Sequence, residues 1–244
     1  MDIQMRLYWE TFSEFFSTTD IIRLFNNPLR DYNDELVDGA IADIGCGQTS
    51  FLLDYIDSGR MLIGIDNDQY QLDRLKTRFE EITNFQIDAL KLENIRLLHQ
   101  ALPNDIYSAV FMANILHFFS LTECDQIIAQ LEQNLVSGSF IYVSVHSEKH
   151  HANDPDDLKN NDYFKHYFTR SDLDALFSAE KYDRIFFADV ERSQTKKEKQ
   201  VKIAWIEKCL DHVNVQDPDL RQSTLKKNTM PHLENDLVCL YRRK

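Results

Sequence analysis

Glycine, proline and cysteine are scarce in this chain of 244 residues, which has 6, 5 and 4 of them. So few glycines and prolines exclude a collagen-like or low-complexity chain, and the 43% of hydrophobic residues can fill a core. The four cysteines form no C-x-x-C pair, which argues against a zinc ribbon or a redox dithiol. We therefore expect one globular domain over residues 1–244, located in the reducing cytoplasm.

The chain also lacks long hydrophobic runs, and we expect no export signal. Its longest apolar stretch, residues 109–116, is broken by Asn114 and is less than half as long as a membrane span. Residues 1–6 have neither the cationic patch nor the apolar segment of a secretory leader. We therefore expect no membrane partner.

Positive charge is the third shortage, because 27 Lys and Arg face 40 Asp and Glu and give a net charge of −13. Such a chain repels polyphosphate, so nucleic acid is a disfavoured partner and a small-molecule ligand is favoured. The balance is uneven, since residues 191–244 have a net charge of +4. An RNA contact through this segment stays as the alternative to a solvated helix face for the lysines of 196–202.

Apolar periodicity predicts alternating strands and helices after two amphipathic N-terminal helices within residues 5–26. The predicted strands are 40–44, 61–65, 85–87, 106–112, 139–145, 184–190 and 236–241, and the predicted helices are 49–57, 68–82, 91–100, 121–135, 171–179 and 196–210. This alternation is typical of an α/β fold with a doubly wound, mostly parallel sheet. The polar residues 146–167 are expected to form a long loop.

A glycine turn follows the first predicted strand and carries the strongest functional signal. Gly45 and Gly47 allow a sharp turn and a close ligand approach, and the next helix start is expected to offer N–H groups to an anionic group. Asp66 ends the next strand, where an acid can hold a ribose. The pattern predicts a nucleotide-like ligand, although a purely structural turn is the alternative. Ser50 replaces the third glycine of a dinucleotide fingerprint, which weakens a nicotinamide dehydrogenase.

The D-x-G-x-G pattern at residues 43–47 resembles motif I of the class I S-adenosylmethionine-dependent methyltransferases. The resemblance covers residues 38–146 and implies a Rossmann-like, seven-stranded sheet whose last strand is antiparallel. It also implies S-adenosylmethionine as the cofactor and S-adenosylhomocysteine as its product. The cofactor contacts that it implies are Asp43 bracing the turn, Gly45, Cys46 and Gly47 at the methionine part, Asp66 at the ribose, Asn67, Asp88 and Ala89 at the adenine, and the backbone of Asn114.

Two alternatives exist for the third strand of this resemblance. A helix that begins at Asp68 can end near residue 84, which favours a strand at 85–87 followed by Asp88. A rival strand at 95–100 would place Gln100 at the adenine instead. We prefer Asp88.

Candidate catalytic residues follow the fourth and fifth predicted strands. His117 and His146 are expected at the carboxyl ends of these strands, where ligands of open α/β sheets bind. Either can serve as a general base, and a buried structural histidine is the alternative. His146 also belongs to a cluster with metal-binding side chains, namely His150, His151, Glu148, Asp154, Asp156 and Asp157. Because that segment reads as loop, we expect no metal there.

The remaining prediction concerns the flanking segments and the reaction. Residues 1–37 are expected to form a helical lid, 38–146 the cofactor-binding core, and 147–244 a substrate-side loop, the last strands and a basic insertion. Tyr8 in the lid is a candidate ring against the cofactor sulfonium, although an aromatic stripe at helical spacing favours core packing. The implied function is methyl transfer to a small molecule. An RNA or protein methyltransferase and a non-catalytic cofactor-binding module are the alternatives.

Overall fold

The computed structural model describes residues 3–82, 89–154, 156, 163–229 and 232–244. The strands within these residues are β1 Ala40–Ile44, β2 Leu62–Asp66, β3 Leu90–Asn94, β4 Tyr107–Ala113, β5 Leu135–His146, β6 Tyr182–Ser193 and β7 Leu233–Arg243. The α-helices are α1 Ile3–Phe15, α2 Thr18–Leu24, α3 Gln69–Ile82, α4 Leu121–Leu131, α5 Arg170–Leu176, α6 Lys196–His212 and α7 Pro218–Asn228. No helix in the described part of the chain is both long and apolar enough to cross a membrane.

Contacts between residues divide the chain into two compact units. Unit 1 comprises Met1–Arg23 and Glu191–Glu234, and unit 2 comprises Leu24–Val190 and Asn235–Lys244. Unit 1 therefore joins helices of the predicted lid with the predicted basic insertion, which lie far apart in sequence. The expectation of one domain over residues 1–244 stays a prediction.

Unit 2 is built on a seven-stranded sheet with the order β3-β2-β1-β4-β5-β7-β6. The pairs from β3 to β5 are parallel, and β7 is antiparallel to β5. Every residue of β1 is buried, as expected for a strand that is covered on both faces. The predicted fold class, with its antiparallel last strand, is confirmed.

The prediction fails at the third strand. Residues 91–100 are not a helix, because β3 occupies Leu90–Asn94 and pairs in register with β2 from Leu62 to Asp66. The rival strand at 95–100 is a turn, and the predicted strand at 85–87 lies outside the described residues. The first four residues of β3 are half-buried and the fifth is exposed at the sheet edge, so its mixed polarity gives no buried-strand signal.

Helix α7 is a second difference from the sequence analysis, which predicted no helix in this segment. Asp217 caps the helix through N–H groups of Asp219 and Leu220, and Pro218 takes the first helical position. None of its residues is buried, so the apolar period that identifies most surface helices is missing.

Candidate functional site

The glycine loop that follows β1 is hydrogen-bonded to β2. The backbone N–H groups of Gly45 and Cys46 donate to the Ile65 carbonyl at 2.7 and 3.0 Å. Both glycines have positive φ angles, +72° at Gly45 and +51° at Gly47. A Cβ on Gly45 would lie 2.7 Å from the Ile115 side chain, whereas a Cβ on Gly47 would have no atom within 4 Å. The loop is therefore closed on one side and open at Gly47.

Asp66 links the ends of β2 and β1. Its two carboxylate oxygens accept hydrogen bonds from the backbone N–H groups of Gly47 and Asp68, both at 2.9 Å. Each carboxylate oxygen has a second lone pair, so Asp66 keeps acceptor capacity for two hydroxyl groups. Burial raises the pKa of this carboxyl. Asn67, next in the chain, is exposed.

Asp43 lies beneath the same loop and is only 1% exposed. Its Oδ2 accepts hydrogen bonds from the Ser50 hydroxyl at 2.6 Å and from the Phe51 N–H at 3.0 Å. The pKa of Asp43 is raised to about 7, mainly by burial and to a smaller extent by the charge of Asp66. Two partly desolvated carboxyl groups beside one glycine loop suit a positively charged ligand.

The helix start beyond the loop differs from our expectation. Residues Phe51–Ser58 form a 3₁₀ helix, and its first N–H groups are already engaged. Phe51 donates to Asp43, and Leu52 donates to the Ser50 hydroxyl at 3.1 Å. The prediction that this terminus offers N–H groups to an anionic group is therefore wrong.

The predicted adenine contacts have different outcomes. Asp88 lies outside the described residues. Ala89 directly precedes β3, so it lies at the amino end of that strand and not at the edge of Gly47 and Asp66. The reason for selecting Ala89 is thus wrong. At the carboxyl end of β3, Asn94 pairs with Asp66, and the Ile95 N–H donates to the Asp66 carbonyl at 3.0 Å.

Gln100, the alternative adenine contact, closes a turn. Its side-chain oxygen accepts a hydrogen bond from the Arg96 N–H at 2.7 Å, which holds residues 96–100 in a compact loop beyond β3. Asn114 follows β4 with a φ of +56°, an unusual conformation for a residue with a Cβ. Its N–H donates to the Ser144 carbonyl at 2.9 Å, so the neighbouring strand fixes the turn.

The two predicted base candidates meet at the carboxyl ends of β4 and β5. The rings of His117 and His146 stack with centroids 3.8 Å apart and planes 5° from parallel. His150 stacks on the other face of His146 at 3.9 Å, and Phe164 meets His117 and His146 edge-on. Burial, followed by the neighbouring histidines, lowers the pKa of His117 to about 2, so this ring stays neutral.

Asp236 completes this group, and sequence reasoning missed it. It lies on β7 directly opposite His146, and its Oδ1 is 2.8 Å from Nδ1 of His146. The two residues are 90 positions apart in the sequence. The only feature of the sequence analysis that pointed to Asp236 was the predicted last strand, which was expected to run antiparallel. His146, His150 and Asp236 also bring potential metal-ligand atoms to within 4.8 Å of one another.

Tyr8 belongs to unit 1, where it is part of an aromatic core. Its ring contacts Trp9 and Trp205 edge-on at 5.1 and 5.4 Å. Burial, followed by the charges of Glu198 and Glu234, raises the pKa of Tyr8 to about 12. The packing role that the helical spacing favoured is therefore present, and a cofactor contact of Tyr8 stays a prediction.

Comparison with known families extends these observations. Residues 41–138 match a family described as a methyltransferase domain. This match covers about two fifths of the chain. The match begins in β1 and ends in β5, so it contains the glycine loop, Asp66 and the end of β4. The matched description agrees with the methyltransferase resemblance of the sequence analysis, and the cofactor that this resemblance implies, S-adenosylmethionine, stays a prediction.

Solved structures share the fold of this chain at low sequence identity. A SAM-dependent methyltransferase from Methanosarcina mazei is 14% identical over 90% of this chain and 98% of its own, with a TM-score of 0.60. The geranyl diphosphate C-methyltransferase of Streptomyces coelicolor is 14% identical over 93% and 82%, with a TM-score of 0.55. The [4+2]-cyclase SpnF is 14% identical over 88% and 80%, with a TM-score of 0.56. No curated protein sequence matches the chain.

Proposed function

We propose that the chain transfers the methyl group of S-adenosylmethionine to a small-molecule acceptor. The observation that carries this proposal is the bond between Gly47 and Asp66, which joins the carboxyl ends of β1 and β2 around an open backbone position. Ligands of doubly wound folds bind at this edge of the sheet.

The charges of the site fit this cofactor better than a dinucleotide. S-adenosylmethionine carries a positively charged sulfonium, which activates its methyl group. This positive charge offsets the electrostatic repulsion between the carboxyl groups of Asp43 and Asp66. A pyrophosphate would be repelled by the two carboxyl groups, and the N–H groups that begin the 3₁₀ helix are already engaged. In this proposal Asp66 holds the ribose, with Asn67 beside the adenine. The backbone of Gly45, Cys46 and Gly47 faces the methionine part.

The acceptor side supports a small molecule. Residues 1–190 have a net charge of −17, which disfavours an RNA acceptor. Two lysines of α6 are engaged within unit 1, because Lys197 pairs with Asp20 at 2.8 Å and Lys208 pairs with Glu14 at 2.7 Å. One protein of similar structure, the geranyl diphosphate C-methyltransferase, has a small molecule as its acceptor.

The alternative is a module that binds the cofactor without methylating an acceptor. A cyclase shares the fold, so the fold alone is compatible with other chemistry. A cytoplasmic location is part of the proposal, and it is supported by four free cysteines, of which three are buried.

Calorimetric titration with S-adenosylmethionine, S-adenosylhomocysteine and NAD tests the cofactor. We expect binding of the first two and no binding of NAD. Asp66→Ala should lower the affinity at least about tenfold, because it removes a charge-assisted contact worth about 1.5–3 kcal/mol. Glu80→Gln, an exposed change on α3, is the matched control. Full affinity in Asp66→Ala would contradict the ribose assignment, and binding of NAD alone would contradict the proposed methyl transfer.

A further inference from the structure

The three stacked histidines differ in the hydrogen bonds of their Nδ1 atoms. Nδ1 of His117 accepts the backbone N–H of His146 at 3.3 Å, and Nδ1 of His150 accepts the N–H of Ala152 at 3.1 Å. A neutral imidazole carries one hydrogen, so both rings carry theirs on Nε2. Nδ1 of His146 instead faces the Asp236 carboxylate at 2.8 Å, which can only accept. His146 therefore has its hydrogen on Nδ1, and Nε2 is its basic nitrogen.

The surrounding backbone fixes this arrangement. His146 and Asp236 are directly paired residues of β5 and β7. The adjacent Asn235 is buried, accepts the Ser147 N–H through its carbonyl at 3.0 Å, and donates from its side chain to Asp189 at 2.9 Å. The carboxylate and the imidazole are thus held by neighbouring strands and not by loops, which preserves their geometry during a reaction.

We propose that His146 and Asp236 form a proton-accepting dyad, and that the methyl acceptor is a protic nucleophile with a hydroxyl or N–H group. This inference rests on the proposed function. Nε2 of His146 is the base, and Asp236 is a positioning residue that holds the tautomer and stabilises the imidazolium. The titratable groups that face His146 are His117 after β4, His150 in the following turn and Asp236 on β7. His117 is not the base, because its hydrogen lies on Nε2 and the lone pair of its Nδ1 accepts the backbone N–H of His146.

The step balances without another reactant. The acceptor oxygen or nitrogen forms a bond to the methyl carbon while the sulfur–methyl bond breaks, and the electron pair of that bond stays on sulfur. The acceptor proton passes to Nε2 of His146 and leaves to solvent after the products depart. The products are the methylated acceptor, S-adenosylhomocysteine and one proton.

The same hydrogen bonds argue against a metal at His146, His150 and Asp236. His150 already uses the lone pair of Nδ1 for the Ala152 N–H, so its Nε2 carries a hydrogen and has no lone pair for an ion. Nδ1 of His146 donates to the carboxylate that a metal would need. A proton site therefore fits these contacts better than a metal site.

Long-range ¹H–¹⁵N NMR of the ¹⁵N-labelled full chain at pH 8 tests the dyad without any acceptor. We expect His146 to carry its hydrogen on Nδ1, and His117 and His150 to carry theirs on Nε2. In Asp236→Asn the hydrogen of His146 should move toward Nε2. The matched control is His166→Gln, which breaks another His–carboxylate pair, 3.1 Å from Asp172. An Nε2 hydrogen on His146 in the unmodified chain would overturn the proposal.

Activity is tested with phenol, catechol and benzyl alcohol against N,N-dimethylbenzylamine and thioanisole, which are nucleophiles without a proton to lose. We expect S-adenosylhomocysteine release with the hydroxyl compounds, and a loss of about 10²–10⁴-fold in His146→Gln with cofactor affinity unchanged. Methylation of the aprotic compounds that is insensitive to Asp236→Asn would overturn the dyad, as would stoichiometric Zn²⁺ binding that this variant abolishes. If the unmodified chain shows the expected NMR pattern but does not bind S-adenosylmethionine, the result would instead overturn the proposed function.

Discussion

Asp43 makes the stability of unit 2 depend on pH in a direction that can be measured. Its carboxyl group is buried, and the pKa is raised from 3.8 to about 7. The folded state therefore binds this proton more tightly than the unfolded chain does. The resulting stabilisation is fully present below about pH 4 and is lost as the pH rises to about 7. Asn at this position can accept the same two hydrogen bonds but does not ionise.

The size of the effect follows from the two pKa values. The interval from 3.8 to about 7 corresponds to about 4 kcal/mol, at about 1.4 kcal/mol for each pH unit. The free energy of unfolding of the unmodified chain should therefore fall by about 4 kcal/mol between pH 4 and pH 8, relative to Asp43→Asn. The other titrating groups are common to both proteins and cancel in this difference.

Urea denaturation followed by circular dichroism, without cofactor, measures both free energies across this range. Asp57→Asn is the control, because Asp57 is exposed and lies on the 3₁₀ helix Phe51–Ser58, whose first residue donates to Asp43. Its difference from the unmodified chain should stay within about 0.5 kcal/mol at every pH. A difference for Asp43→Asn that is constant to within about 1 kcal/mol would refute the reasoning about burial.

Two further substitutions test the backbone of unit 2. Gly45→Ala should lower the free energy of unfolding by roughly 2–4 kcal/mol, because the new methyl group meets Ile115 in addition to the strain of a positive φ. Gly47→Ala has the strain without the clash and should cost only about 1 kcal/mol, so equal losses would contradict the argument. Ser120→Ala removes the hydroxyl of a capping box at α4 and should lower the free energy of unfolding by about 1 kcal/mol in thermal or urea unfolding. Ser120→Asp should retain most of this stabilisation, because Asp also caps helices well.

The sequence predicts well those parts of the molecule whose signals are local. Strand β1 lies at its predicted residues because four of its five residues are apolar and the glycines follow it directly. Asp66 is predicted by its spacing from Gly47 in the sequence and by the strand that it ends. The structure joins the two residues by a hydrogen bond. In each case the residues that form the feature lie in one strand or in two strands that are consecutive in the sequence.

The features that were missed depend on partners or on weak polarity patterns. Strand β3 is half-buried, so pairing with β2 defines it more strongly than its own residues do. Asp236 becomes part of the candidate site only through the register of β5 and β7, which no local pattern specifies. The tautomers of the three histidines depend on hydrogen-bond partners and could not be predicted from residue types.

The position of β7 between β5 and β6 has a consequence for how the molecule assembles. His146 and Asp236 are 90 residues apart, and residues Glu191–Glu234 of the intervening chain belong to the other unit. Closing so long a loop costs entropy before any contact forms, and contacts distant in sequence slow folding. We expect the parallel strands β1, β2 and β4 to associate early and β7 to enter late. The proposed base would then acquire its carboxylate partner in one of the last folding steps.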